Sequence, residues 1–225
     1  MAKKDFTKED QNLENVQESL STAGMWIEKN QNAIEWTILG VVLAVFAWVL
    51  VNTYIIKPKH IEAGNEIAKA VVYFQQGDFE KALNGDEAEC IGFEEIASKY
   101  GLYQEGKLAA LYAGICYYQN GDYEQAAAYL KKFEAKDANI SPAAYMLLGD
   151  AYVQLEDYDK AASAFESAAK GGNEIIAPMS LKKAGLVFLE TGKKHAAKKA
   201  FESIKNNYPA SNEAQDIDKF IALAE

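Results

Sequence analysis

YAGICYYQNGDYEQAAAYLKKF, residues 112–133, returns as LLGDAYVQLEDYDKAASAFESA at 147–168 and as KAGLVFLETGKKHAAKKAFESI at 183–204. Aligned on Gly114, Gly149 and Gly185, the copies are spaced by 35 and 36 residues. A period of this length marks a stack of supersecondary units, none of which can bury its apolar face alone. Each copy reads as two helices around a turn: Gly121-Asp122-Tyr123, Glu156-Asp157-Tyr158 or Gly192-Lys193-Lys194. The aligned glycines, with Ala126, Ala161 and Ala197 opposite, predict close approach of two antiparallel helices. Tyr117, Tyr152 and Phe188 stand three places after each glycine, and Leu130, Phe165 and Phe201 four places after each alanine; the aromatics are expected to fill the gaps between successive hairpins. The fold class that follows is all-α, a helical solenoid.

Working outward, IAKAVVYFQQGDFEKAL carries an earlier, degenerate copy with the turn Gly77-Asp78-Phe79 and the small residue Ala82. Gly77 precedes Gly121 by 44 residues, and the surplus is assigned to 84–88, before a second helix around 93–100. Beyond Pro209, residues 211–225 begin with N-cap chemistry at Ser211 and supply Ile217, Phe220, Ile221 and Leu223, a pattern that predicts a capping helix.

These stretches resemble the tetratricopeptide repeat (TPR). Leu148-Gly149 matches its first-helix Leu-Gly, Ala113-Gly114 and Ala184-Gly185 are variants, and Pro209 is a repeat-ending proline. The Gly171–Gly172 insertion accounts for most of the last period's excess. The expected units are a degenerate repeat at 61–100, repeats at about 107–140, 142–174 and 178–210, and the cap at 211–225.

Ahead of the repeats, WTILGVVLAVFAWVLVNTYII (36–56) contains no charge and is closed by Glu35 and Lys57. At ~1.5 Å per residue its 21 residues span roughly 30 Å, the thickness of a bilayer's hydrocarbon core. Trp36 and Tyr54 stand near its ends, where amphipathic rings favour the headgroups, and Trp48 lies within it. The expectation is a single transmembrane helix at 36–56, a polar tail at 1–35 and a TPR domain at 57–225. The run is too long for a signal peptide's apolar region, no small-residue cleavage site follows it, and the preceding tail is acidic. Gly40 and Ala44 offer a place where another helix could approach. Leu13, Val16, Leu20, Trp26, Ile27 and Ile34 recur near helical spacing in front of the span, as an amphipathic helix or a frayed tail would. Lys29 on one side, against Lys57, Lys59 and Lys69 on the other, would place the domain in the cytoplasm by charge alone; the difference is too small to decide.

The net charge of -10 disfavours a nucleic-acid partner, and the basic residues are all lysine, so no guanidinium fork is available for phosphate. Cys90 and Cys116, with His60 and His195 as the only histidines, form no metal-ligand spacing. The cysteines read as small buried thiols and the histidines as exposed. No nucleophile elbow, zincin, P-loop or dinucleotide motif is present. A cofactor-free, non-enzymatic binding protein is therefore expected.

In TPR domains the first helix of each hairpin lines the concave groove. The corresponding positions are Ile67, Val71, Phe74; Leu111, Ile115, Tyr118; Met146, Asp150, Val153; and Lys182, Leu186, Leu189. All but Asp150 and Lys182 are apolar or aromatic, which suits an amphipathic partner helix or an unfolded client chain rather than an acidic C-terminal peptide. The competing possibility is that the chain's own helices cover this face.

The stretch MWIEKNQNAIEWTILGVVLAVFAWVL and the immediate onset of helical hairpins after Lys57 give the chain a layout that resembles the YfgM family, ancillary subunits of the bacterial SecYEG translocon. That resemblance implies an inner-membrane protein with a cytoplasmic tail and a periplasmic TPR domain. It also implies SecYEG and a PpiD-like membrane-anchored chaperone as partners, with emerging secreted proteins as clients. Two other readings stay open: a scaffold for another envelope complex, such as a division or secretion apparatus, or a regulator that sequesters a signalling protein.

Overall fold

The apolar run forms helix α1 (Gln31–Val51), followed by a five-residue π-turn (Asn52–Ile56). The computed structural model to which these elements belong describes residues 24–86, 90–133, 140–171 and 173–225. Leu13, Val16 and Leu20 of the N-terminal pattern, parts of the 84–88 insertion and of the 107–140 repeat, and Gly172 lie outside the described residues. From Trp36 to Val51 every side chain is exposed, Trp36 and Trp48 included. Such a helix has no polar face to give to water, and among the described residues none of its side chains is buried. By length and composition it can cross a membrane.

A separate compact unit runs from Lys59 to Glu225. It contains helix α2 (Lys57–Gln75) from Lys59 onward, then α3 (Phe79–Asn84), a two-residue strand pair β1 (Gly85–Asp86) and β2 (Cys90–Ile91), and α4 (Phe93–Lys99). The strands are antiparallel, Gly85 opposite Ile91 and Asp86 opposite Cys90. The hairpin α5 (Gln104–Gln119) and α6 (Tyr123–Leu130) comes next, then α7 (Ile140–Gln154) with α8 (Tyr158–Ala169), and α9 (Ile176–Glu190) with α10 (Lys194–Asn207). A 3-10 turn (Asn212–Asp216) and α11 (Ile217–Leu223) close the stack, with the Ser211 hydroxyl accepting from the Ala214 amide. From α3 onward consecutive helices pack on one another, and the first helices α5, α7 and α9 lie side by side. This is an all-α TPR solenoid.

The glycines at the helix crossings explain its spacing. A Cβ added to Gly114 would lie 2.7 Å from Leu130 Cγ, one on Gly149 2.5 Å from Phe165 Cε1, and one on Gly185 2.3 Å from Phe201 Cε1. Leu130, Phe165 and Phe201 therefore close against the glycine of their own hairpin, while Leu130 and Phe165 also share a core cluster with residues of the next hairpin. The aromatic set three residues after each glycine does the joining. Tyr117 packs against both the first and middle core clusters, and Phe188 against both the middle and last.

The turns follow one plan with local departures. Gly77, Gly121 and Gly192 have φ of 77°, 81° and 71°, where a side chain would be strained, and Glu156 occupies the aligned place at φ 57°. Asp78, Asp122 and Asp157 then cap the second helix by accepting from the amides of Lys81, Gln125 and Lys160. Lys193 in the last hairpin provides no cap.

Candidate protein-binding face

The sequence-assigned face divides into three parts with different surroundings. At its N-terminal end Ile67 is buried and Val71 and Phe74 pack partly against the first cluster. Phe74 makes edge contacts with Phe79, Phe93 and Tyr112 at ring-centroid distances of 5.6, 6.3 and 5.2 Å. Leu111, on α5, is also buried, in the middle cluster. Ile67 and Leu111 thus serve as core, and a charge at Leu111 would test folding instead of binding.

The middle part is half-open. Ile115, Tyr118, Met146 and Val153 are partly buried against the middle cluster. At its centre is a polar group: Lys183 Nζ donates to Asp150 Oδ1 at 2.6 Å, across the α7–α9 contact. Tyr118 stands edge-on to Tyr123 at 5.3 Å, and burial, then Asp150 and Tyr123, pushes its hydroxyl pKa up. The face is consequently an apolar rim around a tyrosine and an ion pair. Lys183 was not among the sequence-assigned positions. Its signal was an opposite charge 33 residues after Asp150, close to one repeat, on the neighbouring first helix.

The C-terminal part is largely occupied by the chain's own cap. Lys182 donates to Asp216 at 2.8 Å, and its ammonium sits 4.7 Å from the Phe220 ring centroid. Leu189 packs with Ile217, Phe220 and Ile221. Leu186 remains open at 43% exposure. The surface left for a partner runs from Tyr118 through Met146 and Val153 to Leu186.

Other predicted residues fall elsewhere. Cys90 and Cys116 are buried free thiols; burial pushes Cys116 up to about 12, so it stays protonated and unreactive in the folded chain. His60 was expected to be solvent-exposed. Instead its Nδ1 lies 2.7 Å from Glu105 Oε2, and its ring meets Tyr103 edge-on at 4.9 Å. Nothing in the local sequence announces that pairing, because 45 residues separate the two. Gly40, Ala44 and Tyr54 are exposed with Trp36 and Trp48. Among the described residues no three His, Cys, Asp or Glu side chains gather as a metal site.

Comparison with known proteins agrees with this architecture. Residues 93–140 and 113–174 match the tetratricopeptide repeat, as do residues 181–211. The chain belongs to the tetratricopeptide repeat proteins, whose domains act as protein–protein adaptors. Two crystal structures of MamA are similar in fold. One has TM-score 0.53 at 20% identity, over 72% of this chain and 89% of that one. The other has TM-score 0.50 at 21% identity, over 69% of this chain and 91% of that one. No curated protein matches the sequence.

Proposed function

We propose that residues 36–56 anchor this TPR adaptor in a bacterial inner membrane, where it serves as an accessory subunit of the Sec translocon. Its tail would be cytoplasmic and its TPR domain periplasmic, working with a PpiD-like membrane-anchored chaperone on secreted proteins as they emerge. The observation that carries this reading is the pairing of an apolar helix, α1, exposed at every residue from Trp36 to Val51, with a solenoid whose open face is half-apolar. A membrane-held adaptor needs both parts: the helix fixes it beside a translocation channel, and the Tyr118–Leu186 surface takes an apolar segment of a partner or client. The layout shared with the YfgM family selects the translocon from the wider class of envelope complexes.

The test is gentle detergent extraction of the full chain followed by identification of what co-purifies. SecY and a membrane-anchored chaperone are expected, and absence of SecY would overturn the translocon assignment. Leu186→Glu should reduce capture of the partner several-fold without changing helicity, because Leu186 is open. Unchanged capture would remove this face from the proposal. A second reading is favoured by Lys57 and Lys59, which follow the apolar run directly. If reporter fusions at the C-terminus place the domain in the cytoplasm, the protein is a regulator that sequesters a cytoplasmic signalling protein.

A further inference from the structure

The loop entering α9 and the chain leaving α10 enclose an open-mouthed cleft of about 630 Å³. Ile175, Met179, Tyr208 and Pro209 give it apolar walls, and Glu174 and Glu213 supply two carboxylates. Ile175 is 71% exposed, and the turn does not need it there. It stands at the N-cap of α9, a position that favours small polar residues. The capping is done by Asn173, whose side chain accepts from the Ile175 and Ile176 amides at 2.9 and 3.1 Å. The opposite wall is held as firmly. The Ser211 amide donates to the Tyr208 carbonyl at 3.0 Å, its hydroxyl accepts from the Ala214 amide, and Pro209 fixes its own backbone between them. The cleft is preformed, so little has to be ordered when a ligand enters.

Its electrostatics have one sign. Among the described residues no basic side chain lines the cleft, and neither the Glu174 nor the Glu213 carboxylate has an ion-pair or hydrogen-bond partner. The lysines that follow Met179 on α9 and precede Asn207 on α10 are committed elsewhere: Lys182 to Asp216, Lys183 to Asp150 and Lys205 to Asp218, at 2.8, 2.6 and 2.7 Å. Helix α10 also ends here, at Asn207, and its last carbonyls carry partial negative charge. A cation is favoured by both carboxylates and by that helix end. A purely apolar ligand would cover two carboxylates without pairing them, and an acidic one would be repelled. Position on α9 ties the cleft to the open face: Met179 precedes Lys183 by four residues and Leu186 by seven, the spacing of one helical stripe.

We propose that this cleft is the specificity pocket of the adaptor, and that it takes a polypeptide segment in which a lysine or arginine adjoins a large apolar side chain. The apolar side chain packs between Ile175 and Met179, and the cation meets Glu174 and Glu213. The inference rests on the adaptor reading above for its partner being a polypeptide, and on neither the membrane span nor the translocon.

The test presents a phage-displayed library of random dodecapeptides to the full chain in detergent micelles. Selected peptides should carry a basic residue next to Leu, Ile, Met or Phe at least about twofold more often than the input library does. The double substitution Glu174→Gln with Glu213→Gln should remove the basic preference and weaken a selected peptide about fivefold, read by fluorescence anisotropy. Ile175→Ser should remove the apolar preference. None of the three side chains is buried, so circular dichroism should show unchanged helicity. Peptides selected without a basic preference, or a basic preference that survives the double substitution, overturn the inference. So does concentration-dependent dimerisation without peptide enrichment, which would make a second copy of the chain the occupant. Leu186→Glu tells the cleft from the open face. Binding lost with Leu186→Glu but kept with the double substitution places the peptide on the face alone, so the cleft inference falls and the adaptor reading stands. Binding indifferent to every one of these substitutions overturns both.

Discussion

The first two hairpins and the last two use the same helical frame but fill it with different chemistry. In the last two, Gly149 and Gly185 face Phe165 and Phe201, and the interior of the crossing is hydrocarbon. In the first two, the interior holds Tyr100, Tyr129 and Cys116, with Tyr117 stacked on Tyr129 at 5.3 Å and the Tyr129 hydroxyl donating to Glu94 at 2.8 Å. Hydrocarbon fillings are sensitive to volume, because a close-packed crossing cannot absorb a missing or extra atom. Hydroxyl and thiol fillings are sensitive to charge, because ionisation inside the stack has no solvent to meet it. One fold therefore has two distinct weaknesses.

The volume weakness should give the largest effect. Phe201→Ala empties the space against Gly185 and is expected to cost about 3–5 kcal/mol. Gly149→Val drives a branched side chain into the Phe165 ring and should cost roughly 1–3 kcal/mol or more. Gly64→Ala is the control: nothing lies within 4 Å of the added carbon, and a helix-interior alanine should stabilise slightly. Thermal unfolding followed by circular dichroism separates the three. Equal losses for Gly149→Val and Gly64→Ala would show that the crossing is not closely packed.

The charge weakness appears at alkaline pH. Burial, then Glu94, pushes Tyr117 up to about 12; Tyr129 moves in the same direction for the same causes; burial raises Cys116 to about 12. Ordinary unfolded values are about 10 for tyrosine and about 8.5 for cysteine. As pH rises past those values the unfolded chain releases protons that the folded chain retains, so stability falls with pH. It should be fully present below about pH 8.5 and decline progressively toward pH 12. A melting temperature that stays level to pH 12 would contradict this. Tyr129→Phe should flatten part of the decline, whereas Phe201→Ala should leave its slope unchanged.

How much of this contrast the sequence disclosed depends on range. Gly149 and Phe165 are only 16 residues apart, within one repeat, so their alignment with Gly114–Leu130 and Gly185–Phe201 exposed a recurring crossing. Alignment could not show that Phe165 turns inward to its own hairpin, because that depends on helix rotation and not on spacing. The uncharged run at 36–56 was legible from composition alone. The binding face was less so. Ile67 and Leu111 have the right periodicity for a groove yet are buried, and the cap covers Leu189. An apolar residue on a first helix can serve the core or a partner, and periodicity is the same in both cases. His60–Glu105 and Lys183–Asp150 are tertiary pairs that needed coordinates.

Helix capping sharpens the comparison at about the 1 kcal/mol level. The first three hairpins have an aspartate cap and the last has Lys193, so Asp122→Ala should destabilise by ~1 kcal/mol. Lys193→Asp should return a somewhat smaller amount to the last hairpin, since it places an acceptor at the α10 amides but removes the exposed Lys193–Asp159 pair at 2.5 Å. Denaturant midpoints measure both. If Lys193→Asp destabilises by as much as Asp122→Ala does, then the repeat-to-repeat ion pair outweighs the missing cap.

The smallest expected effect is at Glu156, the non-glycine residue at the shared left-handed turn position. Its backbone at φ 57° is unfavourable for a side chain, and glycine would relieve that strain. Glycine also loses more freedom on folding, which offsets part of the gain, so Glu156→Gly should stabilise by roughly 0.5 kcal/mol. The result distinguishes two reasons for the departure from the Gly-Asp pattern. A small gain means that the third turn tolerates a local misfit, the strong Gly149–Phe165 crossing being sufficient to hold the hairpin. A loss means that the Glu156 side chain contributes an interaction which the turn geometry alone does not supply.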